Sequence, residues 1–198
     1  THTSWTPGRV NLIGEWIDFN GGWVLPAAIP LGVSIGTSPI DGDQDEVRSA
    51  QFDGLCRAKL NQSACGHWAD YVLGGLQAAR REGWLQGAAS VTSDSSIPPG
   101  AGVSSSAAVV VGVLKALAPD SVSASDIAQL AKRVENEYIG VPCGIMDQMA
   151  VAHSSPGEAL ALNTRDLQFR RLSIPANWNF VVLYSGVERQ LADGRYKE

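Results

Sequence analysis

Between Pro98 and Ala108 the sequence PPGAGVSSSAA places glycines, a run of hydroxyls and the start of a helix side by side. Glycine lets backbone approach a ligand closely, and the first N–H groups of a helix are unpaired and favour anions. The combination suits a phosphate cradle. It is not a Walker A loop, because no Lys-Ser or Lys-Thr follows the glycines. Nor is it a G-x-S-x-G hydrolase elbow, since Ser106 stands where the last glycine belongs. A Gly/Pro turn capped by Ser104 accounts for the same residues without a ligand.

Two further stretches carry chemistry-bearing side chains. In PGRVNLIGEWIDF (Pro7 to Phe19), Arg9, Glu15 and Asp18 surround a strand end, with Gly14 allowing a sharp bend. Two carboxylates beside a turn can accept hydrogen bonds from several sugar hydroxyls, and an arginine supplies a fixed fork for developing negative charge. A surface ion pair at a strand terminus is the alternative. In VPCGIMDQM (Val141 to Met149), Asp147 lies in an apolar, small-residue segment. It is either a charge at a helix N-terminus or a buried functional acid. Glu135, 12 residues earlier, projects onto the flank of the preceding helix, where acids are usually solvated. His2, His67 and His153 show no metal-ligand spacing, and the six tryptophans read as core or cleft lining.

The elements that must position these groups begin as strands: Arg9–Gly14, Val24–Ser38, and a hairpin of Glu46–Phe52 with Leu55–Leu60 across Asp53-Gly54. Helical periodicity follows over His67–Trp84, Val103–Leu117, Ala124–Ile139 (capped by Ser123 or Ser125) and Ile145–Ala152. Short strands are expected at Ala88–Ser93, Ala159–Leu162, Phe169–Leu172 and Asn179–Tyr184. This order of elements points to an α+β domain.

Over 198 residues, 44% are hydrophobic and 18% charged, enough for a sizeable core. The net charge of −5 gives no global basic field for nucleic acid, and Arg80-Arg81 reads as a solvated helix end. Cys56, Cys65 and Cys143 form no CxxC pair and suit a reducing compartment. No leader pattern is recognisable, and the longest apolar run, Ala107–Leu117, is too short for a membrane span and carries Lys115. A cytoplasmic location and no membrane partner are expected.

Taken in order, the three stretches resemble the GHMP kinases, and within them the galactokinases. PGRVNLIGEWIDFNGGWVLP is similar to the galactokinase signature segment, PPGAGVSSSAA to the superfamily's ATP loop, and CGIMDQ to its catalytic-acid segment. HWADYVLGG (His67 to Gly75) and Leu191 to Tyr196 are similar to galactokinases too. The resemblance implies a GHMP kinase N-terminal domain of the ribosomal protein S5 domain 2-like fold over residues 1–190. Residues 191–198 would begin a C-terminal domain that packs on it and is missing here.

The resemblance further implies roles. Asp147 would take the proton of a sugar C1 hydroxyl and Arg9 would stabilise the developing charge. Gly100, Ala101, Gly102, Val103, Ser104, Ser105 and Ser106 would wrap the phosphates of ATP, with Ser106 and Glu135 holding Mg2+. Glu15, Trp16, Asp18, Gly144 and Tyr196 would contact the sugar. The family has His where this chain has Trp16, Tyr at Phe19 and Asn at Asp70. An indole cannot accept a hydrogen bond, so galactose and a close analogue both stand as substrates. The implied function is ATP-dependent phosphorylation of the C1 hydroxyl. A non-catalytic sugar- and ATP-binding sensor and an inactive kinase fragment are the alternatives; Asp147, Arg9 and the Ser106-Ala107 pair speak against the sensor.

Overall fold

A computed structural model describes residues 1–98 and 100–183. The strands are β1 (His2–Asn11), β2 (Trp23–Val24), β3 (Pro26–Ile40), β4 (Gln44–Ser49), β5 (Leu55–Lys59), β6 (Ala88–Ser95), β7 (Glu158–Asn163) and β8 (Phe169–Ser173). The helices are α1 (Asp70–Arg81), α2 (Ser105–Leu117), α3 (Ala124–Arg133), a π-helix (Val134–Ile139) and α4 (Met146–His153).

β3 is the spine of the sheet. It pairs antiparallel with β1 and β6 and touches β7 at Ala27↔Ala159. The path β2-β7-β3-β6-β4-β5 is extended by β8 on β7, and β4 with β6 is its parallel pair. Along β3, Val33 and Ile35 are buried while Ser34 is exposed, the two-residue alternation of a sheet with one covered face.

The covering layer is built around α2, which lies against β1, β3 and the other three α-helices. Val110, Val111, Val113 and Leu114 on α2 are all fully buried, as befits a helix apolar all round. Hydroxyls on β1 fix its register: Thr6 Oγ1 donates to the Ala108 carbonyl at 2.7 Å and Ser4 Oγ to that of Gly112 at 2.6 Å. A Cβ on Gly112 would come within 2.9 Å of Ile35 Cγ1, and one on Gly75 within 2.9 Å of Val113 Cγ1, so glycine sets both approaches.

Several sequence expectations are corrected. The first strand begins at His2 and stops at Asn11, because residues 12–22 form turns. β4 ends at Ser49, so Asp53-Gly54 belongs to a longer connection over 50–54 rather than a two-residue turn. Arg80 is not solvated. It pairs with buried Asp45, which also accepts from the Ala89 N–H, and so ties α1 to β4 and β6. The helix expected over 124–139 changes to π geometry at Val134, ending at left-handed Gly140. A 3.6-residue projection misplaces Glu135 there: it is 4% exposed, not on a solvated flank. Asn179–Leu183 forms no strand, and the residues beyond it lie outside the described ones.

Candidate active site

The loop before α2 folds in an unusual way. Gly100, Gly102 and Ser104 all have left-handed backbones, with φ of 70°, 69° and 62°. For a serine that conformation costs about 1–2 kcal/mol, so its surroundings must hold it. Ser104 occupies the N-cap position of α2 yet makes no side-chain capping bond. Its hydroxyl donates instead to Asp147 Oδ2 at 2.5 Å. The capped-turn reading therefore fails, and no side-chain cap occupies the N-terminus of α2.

The same carboxylate meets Arg9. Nε donates to Asp147 Oδ1 at 2.8 Å and Nη2 to Oδ2 at 2.7 Å, the fork geometry that arginine makes with a carboxylate. Arg9 Nη1 also donates to the Gly102 carbonyl at 3.1 Å, and its backbone N–H to that of Val103 at 3.0 Å. A register shift in β1 between Pro7 and Arg9 aims the side chain here. Gly8 sits at the shift, where a Cβ would lie 2.9 Å from the Val103 carbonyl oxygen. One arginine thus fastens strand, loop and helix α4 together. The surface ion pair anticipated among Arg9, Glu15 and Asp18 is not what forms.

Asp18 lies beside this pair. A Cβ on Gly144 would overlap its carboxylate, so glycine at 144 leaves Asp18 in this position. Burial raises the Asp18 pKa, the charge of Asp147 adds to the rise, and Arg9 opposes it. Glu15 is exposed and accepts from Asn11 Nδ2 at 2.9 Å. Trp16 has φ of 62°, is 60% exposed, and meets Phe19 edge to face at 5.9 Å.

On the other side, Glu135 accepts from Gln148 Nε2 at 2.7 Å. Burial pushes its pKa up to about 7; hydrogen bonds from Gln148 and Ser106 pull it down, and Asp147 pushes it up. Gly100, Ser105 and Ser106 also line a cavity of about 320 Å³ whose other walls include Phe52, Trp68 and Tyr71. Phe52 and Trp68 stack with centroids 5.2 Å apart. Ala101 and Val103 present backbone: Val103 is 4% exposed and Ala101 packs partly on the core.

The family profile "Galactokinase galactose-binding signature" matches residues 2–39, and "GHMP kinases N terminal domain" matches 70–155. The galactokinase of Thermococcus kodakarensis is 39% identical over 198 residues, 98% of this chain and 56% of that one. That of Chloroflexus aggregans is 36% identical, over 100% of this chain and 52% of that one. The crystal structure of Lactococcus lactis galactokinase complexed with galactose superposes with a TM-score of 0.81 at 27% identity, covering 93% of this chain and 52% of that one. The chain thus carries a GHMP kinase N-terminal domain and a galactokinase galactose-binding signature, and over nearly its whole length it is similar to galactokinases. It spans about half the length of the curated relatives it matches. Methanococcus jannaschii mevalonate kinase, at 22% identity and a TM-score of 0.72 over 87% of this chain and 56% of that one, shares the fold.

Within the galactokinase framework, the fold gathers Arg9, Glu15, Asp18, Gly144 and Asp147 at one end of α4. It gathers Gly100, Gly102, Ser104, Ser106 and Glu135 around the N-terminus of α2. Tyr196 lies outside the described residues. Three features escaped the sequence reading: the Ser104–Asp147 bond, the Phe52–Trp68 stack and the Gln148–Glu135 pair. Only the last left a sequence signal, since Gln148 directly follows Asp147. Asp70, standing where the galactokinase pattern has Asn, accepts the N–H groups of Cys65, Gly66 and His67 at 2.8–3.0 Å. All three bonds converge on Oδ2, and the negative charge of a carboxylate strengthens them relative to an amide oxygen.

Proposed function

We propose that this chain is the nucleotide- and sugar-binding half of an ATP:sugar 1-phosphotransferase acting on galactose or a close analogue. The observation that carries the reading is the Arg9–Asp147 fork, bonded through Ser104 to an uncapped helix N-terminus. A general base, a cation and an anion cradle meet in one place, which is what phosphoryl transfer to a hydroxyl requires.

In this reading Asp147 accepts the proton of the sugar C1 hydroxyl as that oxygen bonds to the γ-phosphorus of ATP and the bond from that phosphorus to the bridging oxygen breaks, releasing ADP. Its side chain keeps 30% of its surface exposed, enough for a hydroxyl to reach it. Arg9, held by three carbonyl and carboxylate partners, stays fixed while charge moves. Glu15, Trp16, Asp18, Gly144 and Tyr196 hold the sugar. The helix N–H groups and the Gly100–Ser106 backbone bind the phosphates, and the cavity beside Phe52, Trp68 and Tyr71 takes the base and ribose.

The residues fit Mg2+. Glu135 is a buried carboxylate whose charge is costly without a cation, and the nearby Ser106 hydroxyl adds a second hard oxygen. Those two side chains would hold the ion, which neutralises phosphate charge when bound.

The test is sugar-dependent ADP release in a coupled assay, with galactose, 6-deoxygalactose, arabinose, N-acetylgalactosamine and glucose. Phosphorylation at C1 of one of them, abolished without Mg2+, supports the proposal. Nucleotide and sugar binding without ADP release would identify a sensor instead.

A further inference from the structure

Gln148 is a buried polar side chain beside the site, at 1% exposed, and the roles proposed above do not use it. Its amide nitrogen is fully engaged. Nε2 donates to Glu135 Oε1 at 2.7 Å and lies 3.5 Å from Cys143 Sγ. Its carbonyl oxygen Oε1 is buried and has no hydrogen-bond partner among the described residues. A buried amide oxygen without a donor costs about 1–3 kcal/mol, so an orphan of this kind calls for an explanation. Turning the amide over does not provide one, because Nε2 would then give up its bond to Glu135 and become the buried group without a partner.

The framework around Gln148 is rigid. It follows Asp147 on α4, so the Arg9 fork that holds Asp147 also fixes the backbone of Gln148. Cys143 is pinned in turn: its N–H donates to Asn136 Oδ1 at 2.9 Å, and Asn136 is the neighbour of Glu135 on the π-helix. The π-helix and the start of α4 are thereby locked as a pair, with Gln148 bridging them at Glu135. A long, flexible glutamine held this tightly, with one end on an acid and the other unsatisfied, has the form of an outer partner to a bound ion.

We infer that Gln148 is a positioning residue for the metal: Nε2 orients the Glu135 carboxylate toward the ion, and Oε1 accepts a hydrogen bond from a metal-bound water. The inference rests on the reading of Glu135 and Ser106 as the metal's protein ligands. A metal-bound water is a donor only, which matches an oxygen that can only accept. Mg2+ keeps several of its waters in sites with few protein ligands, so such a donor is available. Gln148 itself touches neither substrate nor phosphate in this scheme.

The experiment compares Gln148→Met, which keeps the length and removes both polar ends, with Gln148→Glu and Glu135→Gln in the full chain. Mn2+ binding with saturating ADP is followed by electron paramagnetic resonance, and turnover is measured against Mg2+ concentration. Gln148→Met should weaken Mn2+ binding at least about tenfold, the usual effect of losing an outer-shell partner. It should raise the Mg2+ needed for half-maximal rate to match, with high Mg2+ restoring turnover and the sugar KM unchanged. Gln148→Glu, which sets a second acid against Glu135, should be worse and less well restored. If Glu135→Gln weakens Mn2+ binding and folded Gln148→Met does not, Gln148 only packs the core and the inference fails. If Glu135→Gln has no effect, the metal reading itself fails.

Discussion

Arg9 and Asp147 lie 138 residues apart in sequence and meet through two parallel hydrogen bonds of 2.8 and 2.7 Å. The fork is more than an ion pair, because each partner holds another part of the site. Arg9 fixes the carbonyls of Gly102 and Val103, and Asp147 fixes the hydroxyl of Ser104. The strained loop, the strand bulge and the start of α4 therefore depend on one another. A change at any of the three should be felt at the other two.

Asp147→Asn keeps the shape and removes the base. Turnover should fall by at least about 10²-fold, the low end for a positioned acid or base. Nucleotide affinity should change little, because an asparagine oxygen can still accept from the Ser104 hydroxyl and so keep the loop in place. Rate measurements beside calorimetric nucleotide binding check both halves, and equal turnover in variant and parent would remove Asp147 from the mechanism.

Ser104 separates backbone strain from side-chain bonding. Ser104→Ala keeps a Cβ in the left-handed region and loses the bond to Asp147, so it should cost about 1.5–3 kcal/mol, the range for hydrogen bonds to charged groups. Ser104→Gly loses the same bond but relieves about 1 kcal/mol of backbone strain, and should melt closer to the parent. Denaturant unfolding of the three proteins decides. If the alanine variant is as stable as the glycine variant, the strain argument is wrong.

The elements that could be read from the sequence were those with a periodic signal. The α1 stripe, the apolar α2 and the Ser123 cap, which accepts from the Asp126 N–H at 3.1 Å, all form as their patterns require. What stayed hidden depends on geometry that no local period encodes. The π-helix that buries Glu135 obeys a different repeat from the α-helix before it. The β1 bulge at Gly8 is specified by a close approach from a loop far along the chain. Ser104 looks like a cap because serines usually are caps, and only Asp147 beside it shows where its hydroxyl goes. Arg80 looks solvated until buried Asp45 is found on β4, the neighbour of β6.

His153 gives the fold a dependence on acid. Burial first, and then the charges of Arg171 and Lys115, together lower its pKa from the ordinary 6.5 to about 4. Ser125 Oγ lies 2.9 Å from its Nε2 and Phe169 packs on the ring. With a depressed native pKa, the unfolded chain takes up the proton first. The contribution to stability is therefore complete above about 6.5 and is lost as pH falls toward 4. Melting temperatures of parent and His153→Gln between pH 7 and pH 4.5 test this. The parent should lose more stability than the variant over that window; parallel loss would assign the acid sensitivity to carboxylates instead.

On the proposed function, Trp16 is expected to set substrate choice, since it departs from the galactokinase pattern within the sugar-binding turn. The residue sits between Glu15 and Asp18 in a left-handed turn, with its indole edge to face on Phe19 and 60% exposed. An imidazole there can accept or donate a hydrogen bond to a sugar hydroxyl, whereas an indole has one N–H and a broad apolar face. A hydroxyl that loses its partner against that face should be penalised by about 1–3 kcal/mol, roughly 5- to 150-fold in specificity. The parent should therefore favour a sugar whose matching position is deoxygenated, absent or apolar over galactose itself. Trp16→His should move the preference back toward galactose by a similar factor. The measurement is kcat/KM for the sugar panel in both proteins at saturating ATP. Should both prefer galactose to the same degree, the indole stays out of the sugar's way and the substrate is set elsewhere in the turn.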